Sequence, residues 1–124
     1  MSYVLKPEEL SEWINNVITN GSEKVYEKIR ERAWAAFKTS QLERVDEVYL
    51  DIHDDILQRV RLVDPDTLPD DQKPLYVAMY DLVSMFRTIA HELHIHYFKK
   101  GISSDRFLEQ VASNAEIKRP WLEH

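Results

Sequence analysis

Apolar residues recur along the chain at intervals of three and four positions, the spacing of one face of an amphipathic α-helix. The first such segment opens at Pro7, a favourable first helical position. Its apolar stripe consists of Leu10, Trp13, Ile14, Val17 and Ile18. Asn20-Gly21 is typical of a helix end, and Ser22 can cap a second helix that runs to about Lys38. The pattern therefore predicts two amphipathic helices joined by a tight connection.

A third helix is predicted after Ser40-Gln41-Leu42-Glu43, because serine and glutamate at this spacing form a capping box for open backbone amides. The residues expected to face inward from this helix are Leu42, Val45, Tyr49, Ile52, Ile56, Val60 and Val63. Pro65 and Pro69 follow within a short acidic stretch. Prolines in so short a stretch indicate a loop between helices and not a linker between domains.

The fourth predicted helix opens at Pro74 and continues to about Lys100. From Leu75 to Phe98 it is apolar on most of its circumference, so we expect it at the centre of the fold. Ser103 or Ser104 can cap a shorter fifth helix. The expected fold class is therefore all-α: a single-domain, up-and-down bundle of four main helices with a short C-terminal fifth helix.

Amino-acid composition supports a single globular domain and excludes several kinds of functional site. The 124 residues suit one domain, and 44% hydrophobic with 31% charged residues is an ordinary globular balance. Two glycines and no cysteine exclude a glycine-rich phosphate loop, a disulfide framework and thiolate metal sites. We assign residues 1–121 to the single domain and set aside 122–124 as the expected start of a vector-derived tag. No signal peptide or membrane span is expected, so cytoplasm is the expected location.

Negative charge is concentrated in one part of the chain. The net charge is −6, and residues 41–71 hold ten acidic residues against three arginines. The acidic residues expected to form a partner-binding face on the third helix are Asp46, Glu47, Asp51, Asp54 and Asp55. Such a face suits a basic protein partner. A clustered basic patch is not evident, so nucleic acid is not expected as a partner outside the RNA-cleaving alternative below.

One face of the fourth predicted helix holds residues that could be catalytic. At helical spacing, Tyr80, Arg87 and His94 share a face of the fourth helix. An arginine can stabilise phosphate charge, and an imidazole can transfer a proton near neutral pH. Arg87 followed by six residues and His94 resembles the Arg-x4–6-His motif of HEPN-domain ribonucleases, although Thr88 stands where that family often has a polar residue such as asparagine. The resemblance covers eight residues and implies a dimeric, metal-independent ribonuclease.

Histidines also raise the question of a metal. His91 and His94 lie one turn apart on the fourth helix and are the candidate ligands. The Glu-x-x-His motif of di-iron bundles is absent, and His91-Glu92-Leu93-His94 is one residue too short for the His-Glu-x-x-His zinc motif. We therefore expect neither a metal nor another cofactor.

The sequence is compatible with two functions. The first is a small non-enzymatic helical bundle that acts through protein–protein interaction, forms a homodimer and presents an acidic face on its third helix. The alternative is a HEPN-like, metal-independent ribonuclease that uses Arg87 and His94, with Tyr80 beside them. An open cleft or a twofold interface around these side chains would favour the enzyme, whereas close packing would favour the binding module.

Overall fold

A computed structural model describes residues 5–39 and 44–99. Within these ranges the chain forms four α-helices, two short 3-10 turns and no strand. The helices are α1 (Pro7–Asn20), α2 (Ser22–Thr39), α3 (Val45–Arg61) and α4 (Lys73–Lys99), and the turns are Pro65–Thr67 and Asp70–Gln72. The all-α helical bundle expected from the sequence is confirmed. The predicted fifth helix lies outside the described residues.

Gly21 separates α1 from α2. Its φ of 89° lies in the left-handed region that side chains with a Cβ rarely adopt. In this conformation its amide donates a hydrogen bond of 3.0 Å to the carbonyl of Val17, which closes the end of α1. The chain then turns directly into α2 at Ser22. The connection between the first two helices is therefore a single residue.

The start of α3 differs from the prediction. The predicted capping box at residues 40–43 lies outside the described residues, but Arg44 is extended and α3 begins at Val45, three positions after Leu42. The carbonyl of Arg44 accepts hydrogen bonds from the amides of Glu47 and Val48, so the backbone of Arg44 starts the helix. At its other end α3 stops at Arg61, which leaves Val63 in the following turn.

The most extensive helix pair is α3 with α4. The two run antiparallel, because Asp46 at the start of α3 lies beside His94 near the end of α4. Leu50 packs against Ala90 one layer further along. The two layers are four residues apart on both helices, and rows of side chains at this spacing interlock in packed helix pairs. The resulting α3·α4 seam encloses His94, one of the candidate site residues on α4.

The core is centred on α4, which also contacts α1 and α2. Phe86 is buried near the middle of this helix. The Trp13 ring from α1 lies 5.0 Å from it, and the Tyr49 ring from α3 lies 5.6 Å from it, centroid to centroid. Three helices therefore meet at one aromatic group, and burial of such large apolar surfaces is a main source of stability.

None of the described helices combines the length and apolar character needed to cross a membrane.

Candidate functional site

The stripe of Tyr80, Arg87 and His94 is packed and does not line a cleft within the described residues. Arg87 is only 9% exposed and His94 only 4%, while Tyr80 is half-buried. Arg87 and His94 are seven residues apart, so they lie roughly 10 Å from each other along the helix axis. The structure therefore puts the two predicted catalytic groups on one buried face of α4, where His94 lies against Asp46 of α3.

His94 belongs to a buried polar cluster at one end of the seam. Its Nδ1 lies 3.3 Å from Oδ2 of Asp46, whose side chain is fully buried. Arg44 donates hydrogen bonds to both oxygens of Asp46, through Nε at 3.0 Å and Nη2 at 2.7 Å. Tyr97 completes the group, because its hydroxyl oxygen accepts a hydrogen bond from the amide of Val45. We call Arg44, Asp46, His94 and Tyr97 the Asp46 cluster.

Charge complementarity holds the Asp46 cluster together. Burial opposes the positive charge of Arg44, but the hydrogen bonds and the negative charge of Asp46 outweigh it, so the pKa of Arg44 is raised. The guanidinium of Arg44 also lies 4.3 Å from the centre of the Tyr97 ring, a cation–π distance. A buried carboxylate is tolerated only when it is paired and hydrogen-bonded, as Asp46 is. The cluster therefore joins the start of α3 to the end of α4.

His53 forms a second buried polar site in the seam. Its ring is completely enclosed, and Nδ1 lies 2.9 Å from Oδ1 of Asp54. Among the described residues, no hydrogen-bond partner faces its Nε2. The imidazole and carboxylate are adjacent in sequence, so this contact holds the His53 ring in place locally. The site lacks the open space that a substrate would need.

The remaining histidines do not converge on a metal. His91 is exposed, whereas the His94 ring is directed toward Asp46. His96 packs edge-on against Trp34, with ring centroids 4.7 Å apart. In residues 5–39 and 44–99, no group of three or more potential ligands is arranged to hold a metal ion. The two candidate ligands thus lie in different environments.

The predicted acidic face is partly wrong. Asp46 is fully buried, so it cannot contact an external partner. Asp54 lies against His53, and Asp55 accepts a 3.1 Å hydrogen bond from the amide of Leu5. Glu47 and Asp51 remain partly exposed. Sequence periodicity placed these acids on one helix, but it did not show that Asp46 has charged partners that make its burial possible.

The acidic loop after α3 is more accessible than the helix itself. The exposed acidic residues in this loop are Asp64, Asp66, Asp70 and Asp71. Asp64 accepts a hydrogen bond from the amide of Asp66 and so shapes the first 3-10 turn. Together with the partly exposed Glu47 and Asp51, this loop provides the accessible negative charge in this part of the chain.

Sequence reasoning missed a basic line on α2. Lys24, Lys28 and Arg32 are spaced four residues apart, so they lie along one side of the helix. In the structure all three border a cavity between α1 and α2. The four-residue spacing was available in the sequence. It was obscured because Glu23, Glu27 and Glu31 immediately precede these residues and balance the local charge.

No family model, curated protein or solved structure was found to match this chain.

Replacing Asp46 with asparagine should destabilise the fold. The Asp46→Asn variant keeps the size of the side chain but removes the charge between Arg44 and His94, so we expect a loss of about 1.5–3 kcal/mol in unfolding free energy. Urea titration followed by circular dichroism would measure it. Asp70→Asn is the matched control, because Asp70 is 95% exposed and pairs with Lys73 at 2.8 Å. This exposed pair should contribute under about 0.5 kcal/mol. Equal losses in the two variants would contradict the stabilising role of burial.

Proposed function

We propose that this chain is a non-enzymatic helical bundle that acts through protein–protein interaction. The observation that supports this most directly is the burial of Arg87 and His94. General acid–base catalysis requires the acid or base to come within hydrogen-bond reach of the substrate. Because these two side chains are buried, we place the function on the outer surface of the bundle.

The acidic surface provides the proposed contact with a basic partner. Its accessible part combines Glu47 and Asp51 on α3 with the exposed loop acids. Ser22 binds the buried Asp81, and Arg30 binds Glu92, so those two acids are engaged elsewhere in the bundle. Complementary charge mainly accelerates encounter and selects among partners, and its effect decreases with salt. The partner's contact surface should therefore be rich in lysine or arginine.

Self-association is the second part of the proposal. The outer side of α4 near its end exposes Ile95 and Phe98, three residues apart, with 61% of Phe98 accessible. Adjacent exposed apolar residues often mark a contact with another molecule. A second copy would bring the same residues together around a twofold axis, which is the commonest arrangement of homodimers.

A lysine-rich peptide should bind the acidic surface. We expect Glu47→Gln combined with Asp51→Asn to weaken decalysine binding about three- to tenfold, because each exposed charge contributes up to about 1 kcal/mol. Fluorescence anisotropy at several salt concentrations would measure the affinity. The control, Glu23→Gln with Glu27→Gln, removes equal charge from exposed positions on α2. If both double variants lose affinity equally, only the net charge matters and the proposed surface is wrong.

The dimer should depend on the end of α4. We expect sedimentation at micromolar concentration to show a dimer for the native chain and a monomer for Phe98→Glu, because a charge at this exposed apolar position opposes contact between copies. Leu62→Glu provides the control, since Leu62 is 87% exposed in the turn after α3. Its substitution should leave the dimer intact. A native chain that sediments as a monomer would refute self-association.

The ribonuclease alternative can be tested separately. We expect no cleavage of single-stranded RNA in EDTA, and we expect His94→Ala to lower the melting temperature because it removes a member of the Asp46 cluster. General acid–base assistance changes rates by about 10²–10⁴, so activity would be easy to detect. The non-enzymatic proposal fails if the native chain cleaves RNA and both His94→Ala and Arg87→Ala, still folded, do not.

A further inference from the structure

The cavity between α1 and α2 has the features of a small-molecule site. Its volume is about 350 Å³, within the range of ligand pockets. Lys24, Lys28 and Arg32 border it from α2, and four-residue steps distribute their charges over roughly 12 Å of helix. One side of the cavity is therefore a line of three cations.

Glu23, Glu27 and Glu31 balance this charge along the sequence, but among the described residues no direct ion pair joins them to the three cations. Lys24 and Lys28 form no ion pair or hydrogen bond with any residue in ranges 5–39 and 44–99. Arg32 lies near Tyr49, where burial raises the pKa of the phenol and the charge of Arg32 opposes that rise. Like charges four residues apart destabilise a helix slightly. An anion bound along this line would remove that repulsion.

The rest of the cavity combines an aromatic surface with hydrogen-bonding groups. Trp13 lines it from α1, and its ring also packs against Phe86 of α4. The amide side chains of Asn16 and Asn20 also line it, and they contact each other at 3.4 Å. Glu12 is the acidic residue among the lining groups and can accept hydrogen bonds from hydroxyl or amino groups. The cavity is thus lined by indole, amide and carboxylate groups from α1 and by cations from α2.

We infer that this cavity binds a small aromatic molecule that carries two or more phosphate groups. The phosphates lie along Lys24, Lys28 and Arg32, and the aromatic ring packs against Trp13. Amines and guanidinium groups recognise phosphate, whereas an indole offers a flat apolar surface to a ring. A long polynucleotide is disfavoured, because the chain has a net charge of −6 and an acidic surface on α3. A compact ligand meets only the local positive charge.

Calorimetry with ATP, pyrophosphate, adenosine and a single-stranded oligonucleotide tests both halves of the site. We expect ATP, without divalent metal, to bind at least about tenfold more tightly than either pyrophosphate or adenosine, because only ATP supplies the ring and the phosphates together. Lys28→Gln should weaken ATP binding about tenfold. Lys38→Gln is the matched control, since Lys38 is an exposed lysine on the same helix that does not line the cavity. It should change the affinity by less than about twofold.

Trp13 requires a pair of variants, because its ring also packs in the core against Phe86. Trp13→Phe should retain most of the affinity, and Trp13→Leu should lose it while circular dichroism confirms a native helix content. The inference is overturned if ATP gives no binding up to about 1 mM. It is also overturned if pyrophosphate binds as tightly as ATP, if Lys38→Gln weakens binding as much as Lys28→Gln, or if a single-stranded oligonucleotide binds more tightly than ATP.

Discussion

The antiparallel packing of α3 on α4 is the interaction on which the rest of the structure depends. It brings Asp46 beside His94 although 48 residues separate them in the chain. Because the carboxylate is fully buried, its stability relies on the two hydrogen bonds from Arg44. These contacts hold the start of α3 against the end of α4, while the apolar layers between them determine the register. Removal of the charge of Asp46 alone would leave Arg44 and His94 without the carboxylate that they contact.

Burial also separates the reactive side chains of the bundle from the charged groups on its outer surface. Arg87, His53 and His94 have side chains capable of chemistry, yet each is at most 9% exposed. The charged groups that solvent can reach lie on the outer sides of the helices. There the charge is divided: acids occupy the outer side of α3 and its following loop, whereas α2 directs a basic line into the cavity beside α1. Two chemically different surfaces therefore coexist on one small bundle, and we propose a different class of partner for each.

The candidate site could be predicted only in part from the sequence. Helical spacing correctly grouped Arg87 with His94 on one face of α4, because that grouping depends only on the 3.6-residue turn. The same spacing could not reveal whether the face was open. Asp46 shows the reason: an acidic residue in the first turn of a helix is ordinarily placed on the surface, where the helix dipole favours it. Its burial depends on Arg44 and His94, and His94 comes from another helix.

Local sequence signals account for the four helices of the described residues. Stripes of apolar residues, Pro7 at a helix start and Gly21 at a helix end are local signals, and each specifies backbone conformation within a few residues. Which charged side chains are buried and which face a cavity depends on how the helices pack against one another. Burial of Asp46 and convergence of Lys28 with Trp13 both require groups from two helices. Local periodicity describes the faces of one helix, but the free energy of a charge depends on what the neighbouring helix places against it.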